Sequence, residues 1–117
     1  MRFAIAPCSN GSIALMTWLA RFGGLNWDCI LGAGIARDYK PKLEVYRSSA
    51  AALGLPVDEV MMVAAHNDDL SAAREAGLKT GFVVRPSEHG PNQTTDLEPS
   101  SDWDVVATNF HDLAQKL

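Results

Sequence analysis

The sequence predicts an α/β fold: a mostly parallel sheet with helices on both faces. Short apolar runs alternate with stretches of helical periodicity at the spacing of βαβ units. One run, Val60-Met61-Met62-Val63-Ala64-Ala65, is apolar throughout, as strands covered on both faces are. Polar clusters fall at the strand ends, where ligands bind in such folds. With 117 residues, 47% of them hydrophobic and 21% charged, the chain has the length of one domain and the mix of a soluble globular protein.

The elements follow in order. Phe3-Ala4-Ile5-Ala6, ended by Pro7, predicts a buried strand. Ser9-Asn10-Gly11-Ser12 offers turn chemistry and an N-cap, and Leu15, Trp18, Leu19 and Phe22 trace one apolar helix face stopped at Gly23-Gly24. Asp28 to Leu31 predicts a second short strand. Pro41 is placed to open a helix at its first position, with Leu43, Tyr46, Ala50 and Leu53 inward and Gly54 as its stop. After the strand at Val60–Ala65, a helix starts in His66-Asn67-Asp68-Asp69, is marked by Leu70, Ala73 and Arg74, and ends near Gly77. Lys79 to Val84 predicts a strand, residues 85 to 102 a long loop, Trp103 to Ala107 a final strand. Asn109 caps a last helix with Phe110, Leu113, Ala114 and Leu117 on its apolar face.

The net charge is −4 and the ten Lys and Arg residues form no basic run, which argues against nucleic acid or an anionic membrane as partner. No apolar run approaches the length of a membrane span, and the start at Met1-Arg2-Phe3 is too short for a signal peptide. Cys8 and Cys29 match no metal spacing. Two free thiols suit a reducing cytoplasm.

Three clusters carry candidate chemistry. Ser9-Asn10-Gly11 sets a hydroxyl, an amide and backbone N–H groups at a strand-to-helix junction, which suits a carboxylate or phosphate; by itself it reads as a helix cap. Lys40 stands at the mouth of a helix, where it could neutralise a carboxylate or serve as an ordinary solvated lysine. Tyr46 lies on an apolar helix face, commonly a core position. Asp68 and Asp69 suit a helix N-terminus on dipole grounds alone, and His66 is a lone loop histidine.

Taken in order, Ser9-Asn10-Gly11, Tyr39-Lys40-Pro41 with Tyr46, and Val63-Ala64-Ala65-His66-Asn67-Asp68-Asp69-Leu70 resemble motifs II, III and IV of the haloacid dehalogenase (HAD) superfamily. The wording from Ala72 to Thr80, and Arg85-Pro86 with Glu88 and Gly90, is similar to the type II L-2-haloacid dehalogenase branch. The resemblance runs from Phe3 to about Leu117 and implies a three-layer Rossmannoid core. In that family an aspartate ending the first strand attacks the halogen-bearing carbon, and water hydrolyses the ester to a 2-hydroxy acid. The resemblance gives Ser9 and Asn10 the substrate carboxylate, and Lys40 the pairing with the nucleophile. Tyr46 would help hold the site, and Asp69 would orient Lys40 and the hydrolytic water. His66 stands where some relatives have another residue, within reach of that water.

Two departures shape the expectation. In the phosphatase branch the first aspartate of motif IV, a magnesium ligand, would fall on Ala65, and alanine cannot ligate a hard cation. The resemblance therefore implies metal-free chemistry with no cofactor. No Asp-x-Asp stands at a strand end in these 117 residues, so the expectation is a partial core domain over 1–117, without first strand or cap and inactive as an isolated chain. The substrate would be a small carboxylate. A homodimer is expected to cover the strand edges left by the missing strand. The alternatives are a non-catalytic, partner-binding remnant and a magnesium-dependent phosphatase.

Overall fold

The computed structural model describes residues 3–117. Met1 and Arg2, which open the leader reading, lie outside the described residues. The chain forms two compact units, one ending at Pro56 and the other spanning Val57–Leu117. All strand pairing is parallel, in a two-stranded sheet and a three-stranded sheet. The expected α/β class with parallel sheets is thereby observed.

The first unit holds β1 (Cys8–Ser9), α1 (Ile13–Gly23), β2 (Leu31–Gly32), α2 (Ala33–Ala36) and α3 (Leu43–Ala52). The strand expected at Phe3–Ala6 is not a regular one, and Phe3 and Ile5 are exposed. Ile5 N–H donates to the Asp28 side chain at 2.7 Å, and its carbonyl accepts from Asp28 N–H at 2.8 Å. A carboxylate thus takes the ladder position a carbonyl would hold, and Pro7 has no N–H to contribute. Regular pairing begins only at Cys8↔Leu31 and Ser9↔Gly32, so the second strand likewise starts at Leu31 rather than Asp28.

Helix α1 is capped as expected. Ser12 Oγ accepts from Leu15 N–H, and Gly24, at φ 65°, closes the C-terminus in the left-handed region. Its apolar stripe is exposed, with Phe22 at 86% and Trp18 at 57%. Helix α3 begins two residues later than expected, at Leu43: Lys42 is its N-cap, and Pro41 sits in the preceding turn after a cis Lys40–Pro41 peptide. Its buried residues are Val45, Tyr46, Ser49 and Ala50; Leu43 and Leu53 are only partly covered.

The second unit runs from a 3₁₀ turn (Val57–Glu59) through β3 (Met61–Ala64), α4 (Asn67–Glu75), β4 (Lys79–Val83), β5 (Val105–Ala107) and α5 (Phe110–Lys116), with strand order β3-β4-β5. The all-apolar β3 was expected to be covered on both faces, yet only Met62 is buried. It is an edge of this sheet, whereas β4 is central and buried from Thr80 to Val83. Val83, Ala107 and Leu113 pack together with Val63, Val105 and Leu117 around them. On α5, Phe110 and Ala114 face solvent instead of the core. The buried hydroxyl of Thr80 and its N–H both donate to Asp104 Oδ2, at 3.1 and 2.8 Å. The backbone donor first, then the hydroxyl, holds that carboxyl below its ordinary value.

Gly32 carries the tightest backbone constraint. It sits at φ 107°, and a Cβ there would collide with the Ser9 backbone. Gly54, at φ 70°, has open space around the same position. Gly32→Ala is expected to cost roughly 2–5 kcal/mol from strain and overpacking, and Gly54→Ala only roughly 1–2 kcal/mol from backbone strain. Urea unfolding of both variants measures the difference; equal costs would show that the β1–β2 approach is not close.

Candidate functional site

In the first unit, the end of β1 turns through Asn10 and Gly11 into α1. Ser9 Oγ accepts from Gly11 N–H at 3.0 Å, which curls the turn back on itself. Asn10 then reaches a segment thirty residues on: its Oδ1 accepts from Lys40 N–H at 2.7 Å, and its Nδ2 donates to the Lys40 carbonyl at 3.4 Å. The carboxamide thus holds the main chain of Lys40 as a neighbouring strand would. One hydrogen of Nδ2 is left over for a further acceptor.

Tyr46 lies on α3 and is fully buried, as a core position would be. A cleft of about 300 Å³ opens beside the clamp, lined by Asn10, Ser12, Ala33, Gly34, Arg37, Asp38 and Tyr39. Arg37, the cation among these lining residues, is in the left-handed conformation at the end of α2. The Lys42 ammonium, 3.0 Å from Asp38 Oδ1, donates to that carboxylate and lowers its pKa, with a second contribution from Tyr39 N–H. Arg37 and Asp38 carried no signal in the sequence beyond their place ahead of Tyr39-Lys40-Pro41.

In the second unit, His66 is the N-cap of α4 with an exposed imidazole, and Asp69 is half-buried in the first turn of the same helix. Asp68 and Asp69 both lie where the helix dipole favours negative charge. His66 Nε2 lies 3.0 and 3.1 Å from the two oxygens of Glu88. Asn67, between His66 and Asp68, has a structural task that sequence reasoning missed. Its N–H and Nδ2 donate to Asp96 Oδ1, its Nδ2 also to the Glu98 carbonyl, and its Oδ1 accepts from Ser100 N–H and Trp103 Nε1. Arg74 completes the bracing, with its guanidinium 4.5 Å from the centre of the Trp103 ring and bonded to Ser101 and Asp102.

The single Asp-x-Asp triplet, Asp102-Trp103-Asp104, precedes β5 rather than ending a strand. Its two carboxylates are engaged by Arg74 and by Thr80.

Among solved structures, a defluorinating L-2-haloacid dehalogenase is 49% identical with a TM-score of 0.96, the alignment covering 98% of this chain and 47% of that one. A second L-2-haloacid dehalogenase is 49% identical at TM-score 0.93, covering 95% of this chain and 48% of the other. The L-2-haloacid dehalogenase of Xanthobacter autotrophicus, 21% identical at TM-score 0.78 over 94% of this chain and 53% of its own, shares the fold. Among curated proteins, the enolase-phosphatase E1 of the same organism is 29% identical over 84 residues, 72% of this chain and 37% of that protein. The chain spans about half the length of the dehalogenases it matches. The family model described as HAD-hydrolase-like matches residues 39–113. That match takes in well over half of the sequence, from Tyr39 through the motif around His66 and Asp69 to α5, and the chain belongs to the HAD-hydrolase-like family.

Proposed function

We propose that this chain supplies the carboxylate-binding and lysine-bearing part of an L-2-haloacid dehalogenase-type hydrolase, whose reaction converts a 2-haloacid to a 2-hydroxy acid through an aspartyl ester. The observation that carries this reading is the Asn10 carboxamide on the Lys40 main chain, which ties the carboxylate-binding turn to the lysine-bearing segment. Ser9 and Asn10 bind the substrate carboxylate, Asn10 through its remaining amide hydrogen. Lys40 neutralises the attacking aspartate, and the buried Tyr46 holds the helix beneath. His66 and Asp69 serve the hydrolytic water. Residues 1–117 form part of a core domain, with no metal or cofactor in the reaction and no nucleic acid or membrane as partner. No helix among the described residues is long and apolar enough to cross a membrane.

No step through an ester is available to the 117 residues alone in this reading, because their one Asp-x-Asp precedes a strand. The purified chain is expected to bind 2-chloropropionate without releasing chloride. NMR titration should shift the amides of Ser9, Asn10 and Lys40, and Asn10→Ala should weaken binding roughly tenfold, as loss of a hydrogen bond to a charged group does. Chloride release that vanishes in Lys40→Ala would show another carboxylate attacking. A preference for phosphate would favour the phosphatase alternative, which the similarity to the enolase-phosphatase supports and Ala65 opposes.

Two further parts of the reading concern setting and assembly. Neither Cys8 nor Cys29 is in a disulfide, which supports a reducing compartment such as the cytoplasm. The exposed stripe of Leu15, Trp18, Leu19 and Phe22 supports self-association as a homodimer. Light scattering on dilute protein is expected to give twice the chain mass, and Trp18→Glu with Phe22→Glu to return it to one; a wild-type monomer contradicts the homodimer.

A further inference from the structure

His66, Glu88 and His89 offer one nitrogen or oxygen atom each within 4.8 Å of one another, a set the proposed reaction leaves largely unused. One oxygen of Glu88 lies near coordination spacing from both histidines. Glu88 Oε1 lies 3.0 Å from His66 Nε2 and 3.8 Å from His89 Nε2. A tetrahedral ion with bonds near 2.0–2.1 Å separates its ligands by about 3.3–3.4 Å, between those two values. The imidazoles are near-parallel, with ring planes 13° apart and centroids 6.2 Å apart.

The supporting backbone is fixed. Glu88 and His89 sit on consecutive turns closed by Glu88 N–H to the Arg85 carbonyl and Gly90 N–H to the Ser87 carbonyl. Gln93 braces the segment: its Oε1 accepts from His89 N–H, and its Nε2 donates to the carbonyls of Arg85 and Thr95. Bracing of this kind holds ligands in place before the ion arrives. Arg85 opposes a cation, with Nη1 3.8 Å from Glu88 Oε2, but it lies on that oxygen and leaves Oε1 to the two histidines.

We propose that His66, Glu88 and His89 form a binding site for a borderline divalent transition metal such as Zn²⁺, with an open fourth position. Two imidazoles and one carboxylate suit such an ion and not the oxygen-seeking Mg²⁺. The site is distinct from the absent magnesium ligand at Ala65, and of its three residues only His66 is shared with the dehalogenase reading. Metal there draws the His66 nitrogen away from any water it would otherwise serve.

Co²⁺, added as the simple salt to the whole chain, tests the site without reference to activity. The expected result is saturable one-to-one binding with the intensified visible bands of a four-coordinate ion, displaced by Zn²⁺. His89→Ala and Glu88→Gln should each weaken it by about tenfold or more, while His111→Ala, outside the cluster, should leave it unchanged. All three positions are at the surface or half-buried, so the variants are expected to fold. Non-saturable binding, a spectrum unchanged from aqueous Co²⁺, or equal affinity in the wild type and His89→Ala would overturn the proposal and leave the cluster as an ion pair with stacked rings.

Discussion

The proposed chemistry depends on a carboxamide acting as a piece of backbone. Asn10 gives the Lys40 main chain an acceptor and a donor from one planar group, at 2.7 and 3.4 Å. A backbone N–H left without a partner costs on the order of 1–3 kcal/mol where water is excluded. A lysine on an unsupported turn would present its ammonium from many positions. Two bonds to its main chain limit the stem's origin. Placing charge in this way is how a site gains electrostatic stabilisation without reorganising during reaction.

The second unit uses the same device at larger scale. Between β4 and β5 runs a connection of about twenty residues, a length at which loops without structure of their own are uncommon. Asn67 and Arg74, both on α4, hold it through Asp96, Ser100, Asp102 and Trp103. The helix that starts with the motif IV residues therefore also orders the loop that carries Glu88 and His89. Loss of the Asn67 side chain would release several loop contacts at once, so a variant there would mix structural with chemical effects.

Much of this was legible in the sequence, for reasons tied to local chemistry. Ser12 and Asn109 announced helix starts because a side-chain oxygen satisfies an orphan N–H wherever it stands. The strands at Met61, Lys79 and Val105 followed from apolar runs between turn residues. The misses came from non-local partners. Phe3–Ala6 lost its strand because Asp28 substitutes a carboxylate for a carbonyl. Full cover for β3 was inferred from composition, and its place at a sheet edge is a property of topology. The histidine and glutamate cluster has no sequence spacing to find, since His66 and Glu88 meet across twenty-two residues. The Asn10–Lys40 bond likewise spans thirty. The order of the motifs pointed to a shared task, and only the structure supplied the contact.

Amide hydrogen exchange at Lys40 tests the central claim most directly. Its N–H donates to the Asn10 oxygen at 2.7 Å in an exposed setting. The account predicts slowed exchange at Lys40 in the wild type and at least about tenfold faster exchange in Asn10→Ala, with the amides of β4 unchanged. Exchange at Lys40 equally fast in both proteins would contradict it, and the link between the carboxylate-binding turn and the lysine would be lost.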